Sequence, residues 1–171
     1  MSYAASALAT YENILMTLDH LAEQAQDADC DDTILTNSKL AEDMFPLETQ
    51  FRIAINQVIL ALGRVWSMDI PLEETPYERF ALVRERLADC RAKVAEAKHR
   101  DAAAADSEVD YTLPNNMRFV MTSEEYIRDW MLPNFYFHAS TAYGLLRREG
   151  LEIGKRDFLP FMMRYARPPA S

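Results

Sequence analysis

The sequence predicts an all-α protein in which four long helices form a bundle. Apolar residues recur at helical spacing in four long stretches, and residues typical of helix ends flank these stretches. The chain has only 4 glycines, fewer than a β-rich protein needs for its tight turns. Because 171 residues suit one domain, we expect residues 1–171 to form a single helical bundle.

The first predicted helix runs from about Ser6 to about Gln26. One face carries its apolar residues, which include Leu8, Tyr11, Ile14, Leu15, Leu18 and Leu21. His20 projects about 160° away from the centre of this face, since successive residues are rotated by about 100°. We therefore expect His20 to be a solvated surface histidine. Residues 33–45 then form a connection with enough apolar side chains to pack against the bundle.

The second predicted helix follows Pro46, which suits the first turn because no N–H is needed there, and it ends near Trp66. Gln50, Gln57 and Arg64 recur every seven residues along one edge of its apolar face. Such a polar row is either a boundary between core and solvent or a set of polar groups that points into a cleft between helices. Both interpretations stay open.

A third helix is predicted to begin at Thr75 and Pro76, as N-cap and first-turn residue, and to end at about His99. A long segment separates it from the last helix. Within that segment the residue pattern of 109–121 favours a short β-ribbon around a turn at residues 114–116, or an extended arm.

The last predicted helix begins at a capping box, in which Thr122 is the cap and Glu125 reaches back to it, and it ends before Gly150. Pro133 lies inside this helix, where proline removes a backbone donor and clashes with the preceding turn, at about 3 kcal/mol. We therefore expect a kink or a break one residue before it. The tail, residues 151–171, is too apolar to be free in water, and we expect it to pack on the bundle or on a second subunit.

Charge and cysteine content exclude several classes of protein. The net charge of -9 argues against a nucleic-acid-binding surface, which needs a basic face. No apolar run approaches the roughly 20 residues that span a bilayer, and no signal peptide is recognisable at the N-terminus. Cys30 and Cys90 form neither a CxxC motif nor a disulfide framework. We therefore expect a cytoplasmic protein with no nucleic-acid or membrane partner.

The candidate site residues of the last helix are Asn134 and His138. They lie four residues apart, so both side chains project from the same face. The other residues of this sector are largely apolar and include Ile127, Met131 and Leu145. A histidine in such surroundings is a core residue satisfied by its neighbours, a metal ligand, or an acid–base or ligand-binding group in a cleft.

Several sequence blocks resemble the DinB-like superfamily of four-helix bundles. Its fourth helix ends in a pattern similar to His138, Leu145-Leu146-Arg147 and Gly150. Further blocks between about residues 8 and 160 resemble an uncharacterised bacterial branch of this superfamily, a domain of unknown function: Asp43-Met44-Phe45-Pro46-Leu47 with Gln50, Leu132-Pro133-Asn134-Phe135-Tyr136-Phe137-His138, and Gly154-Lys155-Arg156-Asp157-Phe158. The resemblance implies an up-down-down-up arrangement of the helices and a homodimer.

Metal-binding members of this superfamily hold a divalent ion with three histidines, one from the second helix and two from the fourth. The resemblance places His138 at the second histidine of the fourth helix, Asn134 at the first, and Gln50 at the second-helix position. Amides are weak ligands for transition metals compared with imidazole. The resemblance therefore implies a degenerate metal cleft with no cofactor, the alternative being a divalent metal held weakly at His138.

These residues support three hypotheses about function. The first is a non-enzymatic or ligand-binding homodimer with a polar pocket for a small molecule, lined by Gln50, Asn134 and His138. The second is a metal- or thiol-dependent transferase or isomerase in which His138 is joined by other groups, such as Glu48, Tyr136 or Tyr143. The third is a protein that acts through the aromatic surface near Tyr136 and Tyr143, as a dimer or partner interface.

Overall fold

The computed structural model describes residues 2–28, 30–113 and 115–167, and most of these residues are helical. The first helices are α1 (Tyr3–Asp27), α2 (Asp32–Asn37), α3 (Leu47–Trp66) and α4 (Phe80–Ala97). Then follow β1 (Glu108–Thr112), β2 (Arg118–Thr122), α5 (Ser123–Glu125), a π-helical segment (Tyr126–Met131), α6 (Leu132–Arg148), α7 (Lys155–Phe158) and a 3-10 helix (Pro160–Tyr165). The predicted predominance of helix is confirmed. Over the described ranges, no helix combines the length and the apolar character that crossing a membrane requires.

Helix α1 begins earlier than the predicted Ser6, because Ser2 caps it. The Oγ of Ser2 accepts a hydrogen bond from the N–H of Ala5 at 3.2 Å. The predicted apolar face is buried, and α1 packs most extensively against α4. Ion pairs accompany this packing: Lys98 Nζ lies 2.7 Å from Glu12 Oε2, and Arg84 Nε lies 3.1 Å from Asp19 Oδ1.

Helix α3 begins after Pro46 and ends at Trp66, as predicted. Ser67 closes it in the left-handed conformation, with φ 52°. The connection before α3 packs down through α2, whose Leu35 is completely buried. Helix α3 contacts both α4 and α6, so its residues lie at the centre of the hydrophobic core.

The prediction that the third long helix begins at Thr75 and Pro76 is wrong, because α4 begins only at Phe80. The segment before it has no regular secondary structure and is tied to α3 by side chains. Asn56 Oδ1 accepts from the N–H of Glu73 at 2.8 Å, and Asn56 Nδ2 donates to the carbonyl of Glu73 at 2.9 Å. These long-range bonds replace the local helical bonds that the Thr-Pro pair favours.

The predicted β-ribbon is present as an antiparallel hairpin of β1 and β2, in which Val109 pairs with Met121. Pro114, in the predicted turn, lies outside the described residues. The Tyr111 ring of β1 stacks on Phe119 of β2, with centroids 5.5 Å apart. It also meets the edge of Tyr126 at 5.7 Å. The hairpin thereby covers the π-helical segment.

The capping box at the start of the last helix is confirmed. Thr122 Oγ1 accepts from the N–H of Glu125 at 3.2 Å, and Glu125 Oε2 accepts from the N–H of Thr122 at 2.9 Å. The irregularity expected before Pro133 takes the form of the π-helical segment, in which the N–H of Leu132 bonds to the carbonyl of Ile127. This wider turn lets Pro133 occupy the first turn of α6, where its missing donor matters least.

The tail packs on α1, which is one of its two predicted locations. Thr17 Oγ1 donates to the carbonyl of Phe158 at 2.9 Å. His20, expected to be solvated, is half-buried, and its Nε2 lies 3.1 Å from Asp157 Oδ1. The N–H of Gly154 and the His20 ring lower the pKa of the Asp157 carboxyl. The helical wheel missed this contact because it treats α1 without the tail.

Candidate functional site

The structure brings together two of the three predicted site residues, Gln50 and His138. Gln50 Oε1 lies 2.8 Å from His138 Nδ1, and Gln50 Nε2 donates to the carbonyl of Phe45 at 2.9 Å. Because that carbonyl accepts only, the Gln50 oxygen must be the atom that faces the imidazole. His138 Nδ1 therefore carries the proton and donates, which leaves the lone pair on Nε2.

Burial keeps the His138 imidazole neutral. The side chain is 8% exposed, and burial lowers its pKa from 6.5 to about 4. The ring of Phe137 meets the imidazole edge-on, with centroids 5.2 Å apart. Gln50 is 1% exposed, so the hydrogen bond between these two residues is almost fully shielded from water.

Asn134, the third predicted site residue, is hydrogen-bonded within its own helix. Its Nδ2 donates to the carbonyl of Trp130 at 2.7 Å, at the end of the π-helical segment. In the part of the chain that the structure describes, no hydrogen bond joins Asn134 to Gln50 or His138. Asn134 is half-buried, whereas its two predicted partners are buried.

The donor set does not fit the divalent metal that metal-binding members of the superfamily hold with three histidines. Across residues 2–28, 30–113 and 115–167, no three His, Cys, Asp or Glu side chains are grouped so as to hold a metal ion. Both ends of the Gln50 amide are already hydrogen-bonded, and the Asn134 amide is bonded to Trp130. One imidazole nitrogen remains, and a single imidazole is too few ligands for a zinc or nickel site.

Comparison with known proteins identifies the family. The profile of the family described as "Domain of unknown function (DUF1993)" matches residues 2–159. The chain belongs to this family. A solved structure to which the DUF1993 chain is similar is that of a DinB family member from Shewanella denitrificans, at 26% identity and a TM-score of 0.75, covering 96% of this chain and 92% of that one. A search among curated proteins found no significant match.

The predicted relationship to the DinB-like superfamily is confirmed by the DUF1993 match and by the solved structure. The blocks that carried the resemblance include both partners of the buried pair, Gln50 and His138. The hydrogen-bonded pair of Gln50 and His138 therefore occupies the position of the metal cleft that the resemblance implies.

Glu48, which the enzyme hypothesis placed near His138, is instead fully engaged in a structural cluster. Its carboxylate is 5% exposed and accepts from Arg52 Nε at 3.2 Å, from the hydroxyl of Thr49 and from the N–H of Tyr77 at 3.3 Å. Burial raises the pKa of Glu48, but the hydrogen bonds from Arg52, Thr49 and Tyr77 outweigh it, so the pKa lies below its ordinary value. The i, i+4 spacing of Glu48 and Arg52 was the sequence signal for this cluster.

The two tyrosines of that hypothesis differ in their surroundings. Tyr143 meets the edge of Phe158 from the tail, with ring centroids 5.7 Å apart. Tyr136, on the exposed side of α6, is 41% exposed. Burial raises the pKa of the Tyr136 hydroxyl. Neither residue forms a hydrogen bond with His138 among the described contacts.

The polar row on α3 combines both of its predicted interpretations. Gln50 lies in the bundle and binds His138, and Arg64 Nη1 donates to the hydroxyl of Tyr126 at 2.9 Å. The Arg64 guanidinium also lies 4.9 Å from the ring centroid of Tyr111. Between them, the Oε1 of Gln57 is enclosed without a hydrogen-bond partner in the described chain. The row therefore faces α6 and the π-helical segment.

Proposed function

We propose that this DUF1993 protein is a non-enzymatic, ligand-binding helical bundle whose metal-type cleft has become a polar pocket at Gln50, Asn134 and His138. The observation that carries the proposal is the hydrogen bond between Gln50 Oε1 and His138 Nδ1, at 2.8 Å. This hydrogen bond occupies Nδ1 of the imidazole, which therefore does not bind a metal ion, and it fixes the orientation of Nε2. The remaining Nε2 lone pair can accept a hydrogen bond, so the ligand class is a small molecule with a hydroxyl or amine donor.

Metal analysis of the purified protein tests this proposal. We expect no stoichiometric transition metal in the wild-type protein and no saturable binding of Zn²⁺ at His138 in calorimetry. The variant Gln50→His/Asn134→His restores the imidazoles that the superfamily uses, and we expect it to bind about one Zn²⁺ per chain. A wild-type protein that retains one metal per chain, and loses it in His138→Ala, would refute the proposal.

We infer that the long helices follow the up-down-down-up arrangement, and ion pairs between α1 and α4 support the first part of it. Glu12, in the first half of α1, binds Lys98 just after α4, at 2.7 Å. Asp19, further along α1, binds Arg84 near the start of α4, at 3.1 Å. Later residues of α1 thus meet earlier residues of α4, so the two helices are antiparallel.

Contacts at both ends of α3 support the rest of this topology. Glu48, at the start of α3, binds the N–H of Tyr77 just before α4. The carbonyl of Val65, at the end of α3, accepts from the N–H of Ala103 just after α4, at 2.8 Å. Helices α3 and α4 are therefore parallel. Helix α6 runs opposite to α3, because Gln50 meets His138, whereas Arg64 meets Tyr126 at the other end.

The second candidate function is a metal- or thiol-dependent transferase or isomerase. The observation that favours it is the neutral His138, whose Nε2 lone pair is available to accept a proton or bind a ligand. A panel of electrophiles with a low-molecular-weight thiol, with and without added divalent metal, tests this function. Turnover that His138→Ala abolishes would establish it, and no turnover across the panel would count heavily against it.

We further propose that the protein is a cytoplasmic homodimer. Phe45, whose carbonyl binds Gln50, is 60% exposed, and Phe137, whose ring contacts His138, is 56% exposed. Two large apolar side chains left in water on either side of the buried pair support an interface there. Both cysteines, Cys30 and Cys90, are free thiols, which suits a reducing compartment.

A further inference from the structure

The outward face of α6 carries two exposed aromatic side chains. Tyr136 is 41% exposed and Phe137 is 56% exposed, although the opposite face of the same helix is buried in the core. Single apolar residues are common on protein surfaces, but two neighbouring rings form a patch. The proposed homodimer covers this part of α6.

The same face contains two hollows, within about two turns of the rings. A cavity of about 160 Å³ is lined by Ser140, Tyr143, Lys155 and Phe158. It is smaller than the roughly 300–1,000 Å³ of small-molecule sites, so it suits one inserted side chain. Above Gly144, an added Cβ would meet nothing within 4 Å among the described residues beyond the backbone of its own helix. The face therefore combines protruding rings with places that can receive a ring.

The rings and the hollows lie on one stripe of the helix. At about 100° per residue, with Ser140 as the reference, Tyr136 lies at about −40° and Tyr143 of the cavity at about −60°. On the other side of Ser140, Phe137 lies at about +60° and Gly144 at about +40°. Each ring therefore shares an edge of the stripe with one hollow.

A second copy of this chain in the antiparallel orientation matches these features. A two-fold axis that relates two antiparallel helices reverses the chain direction but keeps each edge of the stripe on its own side. The midpoint of residues 136 and 143 and the midpoint of residues 137 and 144 both lie within one residue of Ser140. A single register, with the axis at Ser140, therefore brings both rings to a hollow.

The charges at the two ends of this helical stretch favour the antiparallel orientation. The stretch from α5 to α6 begins with an excess of carboxylates and ends with an excess of guanidinium groups. Its charged residues are, in order, Glu124, Glu125, Arg128, Asp129, Arg147, Arg148 and Glu149. An antiparallel pair brings the unlike ends and the opposed helix dipoles together, whereas a parallel pair brings like charges together.

We propose that two copies of this chain pack α6 against α6 in the antiparallel orientation, about a two-fold axis at Ser140. The Tyr136 ring of each copy enters the cavity of the other, and the Phe137 ring lies over Gly144 of the other. The cavity also places the ammonium group of Lys155 beside the entering ring, where a cation–π contact forms. This inference rests on the proposed homodimer and specifies its contact.

Disulfide cross-linking of the full chain tests this arrangement. In a Cys30→Ser background, which leaves only the buried Cys90, Ser140→Cys should form a covalent dimer on mild oxidation, because its two copies meet at the axis. Arg147→Cys, also exposed on α6, should not, since its two copies lie about 21 Å apart at roughly 1.5 Å per residue. Cross-linking at both positions would indicate a parallel pair and overturn the proposal.

Light scattering of the same variants under reducing conditions separates this proposal from the homodimer itself. A dimer in which Ser140→Cys does not cross-link would overturn the arrangement and leave the homodimer in place. A monomer would overturn both.

A variant at Gly144 provides a second test. Gly144→Leu fills the open space that receives Phe137 and should raise the dissociation constant of the dimer at least about tenfold. Ala92→Leu, on the exposed face of α4, should leave that constant unchanged. Sedimentation of both variants over a range of concentrations measures this, and an unchanged constant in Gly144→Leu would overturn the arrangement.

Discussion

His138 shows how one hydrogen bond decides the chemistry of a side chain. Gln50 is held by the carbonyl of Phe45, so its oxygen has one orientation, and the imidazole donates to it from Nδ1. Burial then makes protonation unfavourable, because the second proton would create a charge away from water. The result is a neutral imidazole that offers a single acceptor.

The stability of the protein should therefore depend on pH through His138. Its folded pKa of about 4 lies below the ordinary 6.5, so between these values the unfolded chain binds a proton that the folded chain does not. The contribution of neutral His138 to the free energy of unfolding is fully present above pH 6.5 and is lost as the pH falls toward 4. Relative to His138→Asn, we expect wild type to lose about 2–3 kcal/mol more unfolding free energy between pH 7.5 and 4.5. Urea unfolding at both pH values measures this; equal losses would contradict it.

Two buried tyrosines provide a matched test of how a hydrogen-bond partner changes the contribution of a buried hydroxyl to stability. The hydroxyl of Tyr11 is enclosed without a partner in the described chain, whereas that of Tyr126 accepts from Arg64 at 2.9 Å. We expect Tyr11→Phe to stabilise the protein by about 1 kcal/mol and Tyr126→Phe to destabilise it by a similar amount. Urea unfolding at pH 7.5 measures both. Destabilisation by Tyr11→Phe would mean that a water molecule satisfies this hydroxyl.

At the scale of elements, the irregular segment before α4 depends on side chains of α3. Asn56 bonds both backbone groups of Glu73, and Glu48 accepts from the N–H of Tyr77. The segment has no regular secondary structure of its own, so these bonds take the place of a helix or a strand.

Glu48→Gln tests the role of this carboxylate. The folded pKa of Glu48 is depressed, so its contribution to stability is present above the unfolded value and is lost as the pH falls below it. We expect the variant to be about 2 kcal/mol less stable at pH 7, because Arg52 loses its charged partner, and the difference to shrink at acid pH. Hydrogen exchange at the N–H of Tyr77 should be faster in Glu48→Gln than in the wild-type protein.

The matched control for Glu48→Gln is Glu85→Gln, which breaks an exposed pair with Arg86. Exposed pairs contribute little, so we expect a change below about 0.5 kcal/mol in the control. If both variants lost the same stability, the buried cluster would not be what holds the segment. An unchanged rate of hydrogen exchange at the N–H of Tyr77 in Glu48→Gln would also show that the cluster does not hold the segment.

For the whole molecule, the distribution of exposed apolar side chains supports association. Phe45 and Phe137 flank the buried pair, and the tail adds Met163 and Tyr165, which are 64% and 59% exposed. The net charge of -9 disfavours nonspecific aggregation through such a surface but does not oppose a specific contact. The proposed homodimer covers the surface at α6.

Light scattering should therefore give twice the 19.7 kDa chain mass at micromolar concentration. We expect Phe137→Glu to give the monomer mass, because a carboxylate cannot be buried there without a partner. Val120→Glu, at a similarly exposed position on the hairpin, should leave the dimer intact. A wild-type monomer would refute the dimer, and a dimer that survives Phe137→Glu would place the interface elsewhere.

The sequence by itself determined the features that depend on neighbouring residues. The face of α1, the limits of α3, the capping box at Thr122 and an irregularity before Pro133 all follow from spacings of a few residues, and all are present. The family resemblance extended this to Gln50 and His138, which lie 88 residues apart in the chain and are hydrogen-bonded.

Only the tertiary structure decided which partners several polar side chains have and where α4 begins. Asn134 bonds to its own helix rather than to His138, α4 begins after its predicted cap, and His20 binds the tail. His20 and the segment before α4 are held by groups that are distant in the chain. How the helices pack decides which of these groups meet, and local spacing carries no information about that packing.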